Sequence, residues 1–363
     1  MKYFFTLLTL LLIISCSQEK KTESKVEETV QPKKPKNIIL LIGDGTGLSQ
    51  VSASQYFNPD PSNFDRFPVI GLIKTSSSDQ LITDSAAGAT AFASGVKSYN
   101  GAIGVNKDSI PVPTIVEEIS KNGLSTGVIA TSSINHATPA SFYAHAKLRG
   151  MYEEIAAFLP TSDIDFLAGG GIQFFNKRKD GKDLLSEFEK NGFKVDTTAL
   201  PEKTDTKKHA ILLAENAMPT MLEGRGDFLP KATQLAIDAL SKNEEGFFLM
   251  VEGSQIDWGG HDNNADYLIS ELIDFDKTLG VALDFAKSNG ETLVIVTADH
   301  ETGGFTLAPD DGDYNKIAPS FSTGGHSATL IPVFAYGPES ENFGGIYENN
   351  EIYHKMKAAL GKN

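Results

Sequence analysis

Short, nearly continuous apolar runs punctuate the chain at residues 38–42, 69–73, 127–130, 166–168, 247–251, 293–297 and 333–336. Their length and β-branched content predict strands buried on both faces. Between them, apolar residues recur at helical spacing over 114–122, 230–241 and 265–287, and Pro113 suits the start of the first of these helices. Strand and helix alternate, which predicts an α/β layer architecture with a mostly parallel central sheet. No internal repeat interrupts it. Residues 173–210 are rich in lysine and aspartate and are expected to form a surface insert; residues 308–319 are expected to be an exposed loop. Neither break divides residues 37–363, which are expected to form one domain.

The amino terminus follows a different pattern. A short positive start, Met1-Lys2, leads into an apolar run over 3–14 that is too short to span a bilayer. The only cysteine of the chain, Cys16, follows directly. This resembles a bacterial lipoprotein signal covering residues 1–16, with Cys16 as the lipid-bearing residue of an exported protein in the periplasm or on the outer membrane. Residues 17–36 are charged, lack aromatics and read as a disordered tether. The net charge of −15 argues against nucleic acid as a partner. It does not exclude a small phosphorylated ligand, because cations can reverse the field within a cleft.

In open α/β sheets, ligands bind beyond the carboxyl ends of the strands. Acids and histidines gather there in this chain: Asp44 after the first run, His136 and Thr138 after the third, Glu252, Asp257 and His261 after the fifth, and Asp299 and His300 after the sixth. A further histidine, His326, precedes the last run. The stretch GDGTGL at 43–48 lacks the third glycine of a dinucleotide loop, and an acid within such a loop would repel a pyrophosphate. Asp44 makes better sense as a cation ligand. Asp257 and His261, four apart, share one face of a helical turn and offer the carboxylate–imidazole combination typical of zinc.

A nucleophile candidate lies in TDSAAGATAFASG. The small, Ala-rich run after Ser85 favours a closely packed helix, with Ser85 at its anion-favouring amino terminus. Neither a Ser-His-Asp spacing nor G-x-S-x-G is present, so a metal would have to activate the hydroxyl. Asp84 is expected either to cap that helix or to orient Arg149. His145 is expected to be a buried, hydrogen-bonded histidine, and His209 and His354 to be exposed.

The motifs IGDGTG, TDSAAGATAFASGVKSYNGAIGV, ATPASFYAH with Arg149 after it, VEGSQIDWGGH, TADHETGG and GGHS before PVFAYG occur in the order found in alkaline phosphatases. The chain resembles that family over about residues 37–340, especially its compact members from cold-living bacteria. The resemblance implies a three-layer α/β/α sandwich and hydrolysis of phosphate monoesters through a phosphoserine at Ser85. It implies one zinc held by Asp257, His261 and His326, and a second held by Asp44, Asp299 and His300. A magnesium would be shared by Asp44, Thr138 and Glu252, and Arg149 would grip two phosphate oxygens. His136 and Trp258 stand beside this set, where the best-studied bacterial members carry Asp and Lys. Phosphate scavenging and a homodimer are further implications. Sulfatases need a Cys or Ser followed by x-Pro-x-Arg, which TDSAAGAT lacks. Phosphodiesterases of this fold commonly use Thr and lack the phosphate-gripping Arg. A non-catalytic metal- or phosphate-binding lipoprotein is the alternative outside enzymes.

Overall fold

The computed structural model describes residues 34–361. The signal segment ending at Cys16, and the expected tether as far as residue 33, lie outside the described residues. Among the described residues, no helix is long and apolar enough to cross a membrane.

The apolar runs form the strands of one ten-stranded sheet: β1 (Asn37–Gly43), β2 (Val69–Lys74), β3 (Ser125–Ser133), β4 (Phe166–Gly170), β5 (Phe193–Asp196), β6 (Lys208–Leu212), β7 (Phe247–Gly253) and β8 (Thr292–Thr297), with two later strands. Three short strands follow β8: β9 (Glu301–Thr302), β10 (Thr306–Asp310) and β11 (Asp313–Ser320). Then come β12 (His326–Ser327), β13 (Ile331–Tyr336) and β14 (Gly345–Glu348), of which the last two return to the large sheet. Its order is β14-β2-β13-β8-β1-β7-β3-β4-β6-β5. Only β13 runs antiparallel to its neighbours. The helices are α1 (Leu48–Phe57), α2 (Ser85–Ser94), α3 (Ile115–Ser120), α4 (Ala137–Ala140), α5 (Tyr152–Phe158), α6 (Gln173–Asn176), α7 (Leu184–Lys190), α8 (Phe228–Leu240), α9 (Gln255–His261), α10 (Ala265–Asn289) and α11 (Glu351–Leu360).

Strand alternation builds two cores from single strands. Ile38, Leu40 and Ile42 of β1 face α2, α3 and α11, whereas Ile39 and Leu41 face α8 and α10. β7 divides likewise, with Phe248 and Met250 on one side and Phe247, Leu249 and Val251 on the other. Successive residues along the middle of β1 and β7 are therefore apolar on both faces, and the result is a three-layer α/β/α sandwich.

Three expectations change. Residues 173–210 are not simply a surface insert: they carry α6, α7, β5 and the start of β6, and they complete one edge of the sheet. Within them His209 is buried rather than exposed; its Nε2 lies 2.6 Å from Asp196 and its Nδ1 2.9 Å from Thr204. Residues 308–319 are exposed but not a loop. They form most of the β10–β11 hairpin, turned by Asp311 and Gly312, both at positive φ.

Register sets the depth of the site. β1 and β7 pair Ile42 with Glu252 and Gly43 with Gly253; β3 pairs Ala130 with Glu252; β8 pairs Thr297 with Ile42. Because these strands are parallel, Asp44, Glu252 and Asp299 emerge at nearly one level on the same edge.

Candidate active site

Ser85 is the first residue of α2 and is almost fully buried. Asp84 before it serves both roles proposed from sequence. Its Oδ1 caps the helix by accepting the Ala87 amide at 3.0 Å, and its Oδ2 accepts from Arg149 Nη1 at 3.0 Å. The small face of α2 lets the helix approach the end of β8. A Cβ added at Gly88 would lie 2.8 Å from Asp299 Cβ and 3.4 Å from its Cα. Gly88→Ala is therefore expected to push Ser85 away from the residues that follow β8. A displacement approaching 1 Å would lower kcat about 100-fold, which steady-state kinetics on a variant with unchanged circular dichroism would show.

Ser85 Oγ lies 3.3 Å from His300 Nε2. This is not the geometry of a serine–histidine–carboxylate triad, in which serine and carboxylate sit on opposite ring nitrogens. Here the carboxylates crowd the same nitrogen: Asp299 Oδ2 at 3.3 Å and Asp44 Oδ1 at 3.5 Å from His300 Nε2. The proton on His300 can be placed. Thr302 Oγ1 spends its single hydrogen on Asp257 Oδ1 at 2.5 Å, so it accepts from His300 Nδ1 at 3.2 Å. Burial, with His326 alongside, holds His300 neutral with a pKa of about 3. Its Nε2 therefore presents a lone pair to two carboxylates and a hydroxyl.

The second cluster repeats the pattern. His261 Nδ1 donates to the Gly324 carbonyl at 2.8 Å, and His326 Nδ1 to the Thr83 carbonyl at 2.8 Å. A carbonyl only accepts, so both Nε2 atoms carry lone pairs in the neutral rings. They face each other across 3.2 Å, with Asp257 Oδ1 at 3.4 Å from His261 and 3.7 Å from His326. Electron pairs this close call for a shared cation.

The third group is all oxygen. Both oxygens of Asp44, Oε1 of Glu252 and Oγ1 of Thr138 are buried and lack hydrogen-bond partners, as does Asp299 Oδ2. Burial raises Asp44 well above the usual carboxylate range, with the charges of Asp299, Asp257 and Glu252 adding to it. Burial also raises Asp299, and lifts Glu252 to about 7. Gly45 makes the convergence possible: it takes φ +74°, and a Cβ there would lie 2.7 Å from Asp257 Cα. The side chains of Asp44, Asp299 and His300, and those of Asp257, His300 and His326, are each close enough to hold one ion.

Beside these groups, His136 is half-buried and kept neutral, first by desolvation and then by Arg149, with a pKa of about 3. Its Nε2 lies 3.4 Å from Arg149 Nη2, and Trp258 meets its ring edge-on at 5.9 Å. Glu301 is buried and accepts from Gln50 at 2.8 Å and from the Phe305 amide at 2.9 Å. His145 is half-buried between the Gly104 carbonyl and Glu117, and His354 is exposed. Three supporting residues escaped the sequence: Thr302, which fixes the His300 tautomer, and Ser132 and Ser254, which hold Glu252. Thr302 sits inside TADHETGG and Ser254 inside VEGSQIDWGGH, each two residues from the ligand it serves, so both could have been found by proximity; Ser132, 120 residues from Glu252, could not.

A sandwich that gathers lone pairs and carboxylates beside a helix-terminal serine defines a metal-binding hydrolase. The family profile described as alkaline phosphatase matches residues 35–320 and 314–362. Alkaline phosphatase 3 of Bacillus subtilis is 35% identical, with 90% of this chain and 89% of that protein aligned. Alkaline phosphatase of Escherichia coli is 32% identical over 93% of this chain and 88% of that protein. Among solved structures, the alkaline phosphatase of the Antarctic bacterium TAB5 is 60% identical, covers 92% of this chain and 100% of its own, and superposes with a TM-score of 0.90. A histidine-to-aspartate mutant of that enzyme has Mg bound in its M3 site. The cold-active enzyme of Shewanella sp. is 31% identical, with a TM-score of 0.82 over 89% of this chain and 99% of its own. The chain belongs to the alkaline phosphatase family and is a phosphoric monoester hydrolase.

Proposed function

We propose that Ser85 is the nucleophile and that hydrolysis passes through a phosphoserine. The observation that carries this reading is the position of Ser85 Oγ, 3.3 Å from the lone-pair nitrogen of His300 and at the amino terminus of α2. Two zinc ions are assigned, one to Asp257, His261 and His326 and one to Asp44, Asp299 and His300. Imidazole with carboxylate suits zinc, and the oxygen set of Asp44, Thr138 and Glu252 suits magnesium. When bound, these cations would lower the pKa of the serine hydroxyl and offset charge on the leaving and attacking oxygens.

The chain's own residues do the rest. Arg149, fixed by Asp84, binds two non-bridging phosphate oxygens with its planar fork and sets the phosphorus in line with Ser85 Oγ. The Oγ–P bond forms as the ester P–O bond breaks; the Ser85 proton passes to solvent and the leaving alkoxide takes up a proton. The free amides at the start of α2 favour the anion throughout. Water then attacks the same phosphorus from the side the alcohol vacated, releasing phosphate and restoring the hydroxyl. Arg149→Lys keeps the charge but loses the fork. It is expected to raise KM and the inhibition constant of inorganic phosphate about tenfold, with a smaller fall in kcat; product-inhibition kinetics would measure this.

The reading extends to an exported lipoprotein anchored through Cys16, forming a homodimer and releasing phosphate for uptake. The third ion is assigned from the oxygen set of Asp44, Thr138 and Glu252; a histidine-to-aspartate mutant of the TAB5 enzyme has Mg bound in its M3 site. Release of nitrophenol from nitrophenyl phosphate tests the core of the reading, with chelation followed by return of zinc, magnesium or both. Activity should require both metals. Faster turnover of bis(nitrophenyl) phosphate than of the monoester would instead make the chain a diesterase.

A further inference from the structure

The two oxygens of Glu252 meet different surroundings. Oε2 accepts from Ser254 Oγ at 2.5 Å and faces Ser132 Oγ at 3.3 Å. Oε1 is buried and has no hydrogen-bond partner. The Ser254 hydroxyl has little freedom. Its oxygen already accepts the Ser132 amide at 3.0 Å, and the Ser254 amide is tied to Thr131 Oγ1 at 2.9 Å. Its single proton therefore goes to Oε2. The in-register pairing of Ala130 with Glu252 brings Ser132, still within β3, beside Ser254, the residue just past the end of β7, so the fold itself builds this clamp. Ser254 is fully buried, which keeps competing water away.

We propose that Ser254 is a cation-selectivity residue: by occupying Oε2 it presents Glu252 to the oxygen-lined site through Oε1 alone, favouring Mg2+ over Ca2+. The inference rests on the assignment of Glu252, with Asp44 and Thr138, to that site. Mg2+ takes six ligands at short, near-octahedral distances and binds carboxylates through one oxygen. Ca2+ takes six to eight oxygens and readily accepts both oxygens of one carboxylate. Each carboxylate oxygen has two lone pairs, and with Ser254 and Ser132 both against Oε2, Glu252 can bind in the second manner only by displacing one of these hydroxyls. That would strand a hydroxyl in a buried setting, where an unmet hydrogen bond is costly. Ser254 thus discriminates by limiting how many oxygens the site can offer.

The test is direct binding, not turnover. Zinc-loaded enzyme is titrated with Mg2+ and with Ca2+ by calorimetry, as wild type, Ser254→Ala and Glu252→Gln. The expected result is tighter Mg2+ than Ca2+ in wild type and a preference reduced about tenfold in Ser254→Ala, the scale on which ligand-supporting partners act. Glu252→Gln should abolish binding of both. An unchanged preference in Ser254→Ala, with Glu252→Gln still abolishing binding, overturns the inference and leaves the site assignment standing. Binding indifferent to Glu252→Gln overturns both. If circular dichroism shows that Ser254→Ala does not fold, Ser132→Ala removes the longer contact to the same oxygen. It should reduce the preference in the same direction, about threefold; no change there also overturns the inference.

Discussion

Ser85→Ala is expected to lower kcat for nitrophenyl phosphate about ten-thousand-fold while leaving the fold and the metal content intact. The nearby hydroxyls offer no substitute. Thr302 is committed to Asp257, Ser254 to Glu252, and Thr83 donates to the Asp84 carbonyl at 3.1 Å. Only Ser85 combines a helix amino terminus with contact to His300 Nε2. Alanine keeps the helix, because the cap belongs to Asp84 and not to Ser85. Arg149 stays in place through the same aspartate, so the residual rate should come with a KM close to wild type. Single-turnover kinetics should also lose the early burst of nitrophenol. A variant with near-normal turnover would remove Ser85 from the chemistry.

Stripping the metals is expected to abolish activity, by about a thousandfold or more, and to make stability depend steeply on pH. Asp44, Asp299 and Glu252 are buried together, and each has its pKa raised, chiefly by burial. A carboxyl raised in the folded state binds its proton more tightly there than in the unfolded chain. Folding is then favoured below the ordinary carboxylate range, and that advantage is lost as pH climbs through the folded-state value, about 7 for Glu252. The chelated protein should therefore melt at least about 5 °C lower near pH 8 than near pH 5. Returning zinc and magnesium supplies the positive charge and should erase most of that slope. Calorimetric melting of chelated and reloaded samples measures it; a chelated protein whose Tm is flat between those values would contradict the picture of carboxylates held together by cations.

The layers of the fold were legible because the central strands are buried on both faces. β1, β7 and β8 are unbroken apolar runs, and the structure extends the predicted spans by only a residue or two at an end. β5 and β6 were not legible. β5 is a half-exposed edge strand, FKVD, with no apolar run; β6 has one, over 210–214, but it opens with Lys208 and His209 directly after a lysine-rich stretch that reads as surface. The β10–β11 hairpin was hidden differently: its strands are exposed on both faces, and only the Asp311-Gly312 turn gave a local signal. The candidate ligands could be read because chemistry-bearing residues follow each central strand at short distance. Their partners could not. The carbonyls of Thr83 and Gly324 that set the His326 and His261 tautomers carry no residue signature, and the clamp on Glu252 joins strands far apart in sequence.

The central claim is that a phosphoryl group passes through Ser85 Oγ. It is tested most directly by quenching the zinc- and magnesium-loaded enzyme in acid during turnover of a phosphate monoester, then mapping phosphorylation by peptide mass spectrometry. One phosphoryl group is expected on the peptide containing Ser85, located to that residue, and none in Ser85→Ala. Phosphate on another residue, or turnover with no phosphorylated peptide at any quench time, would contradict it.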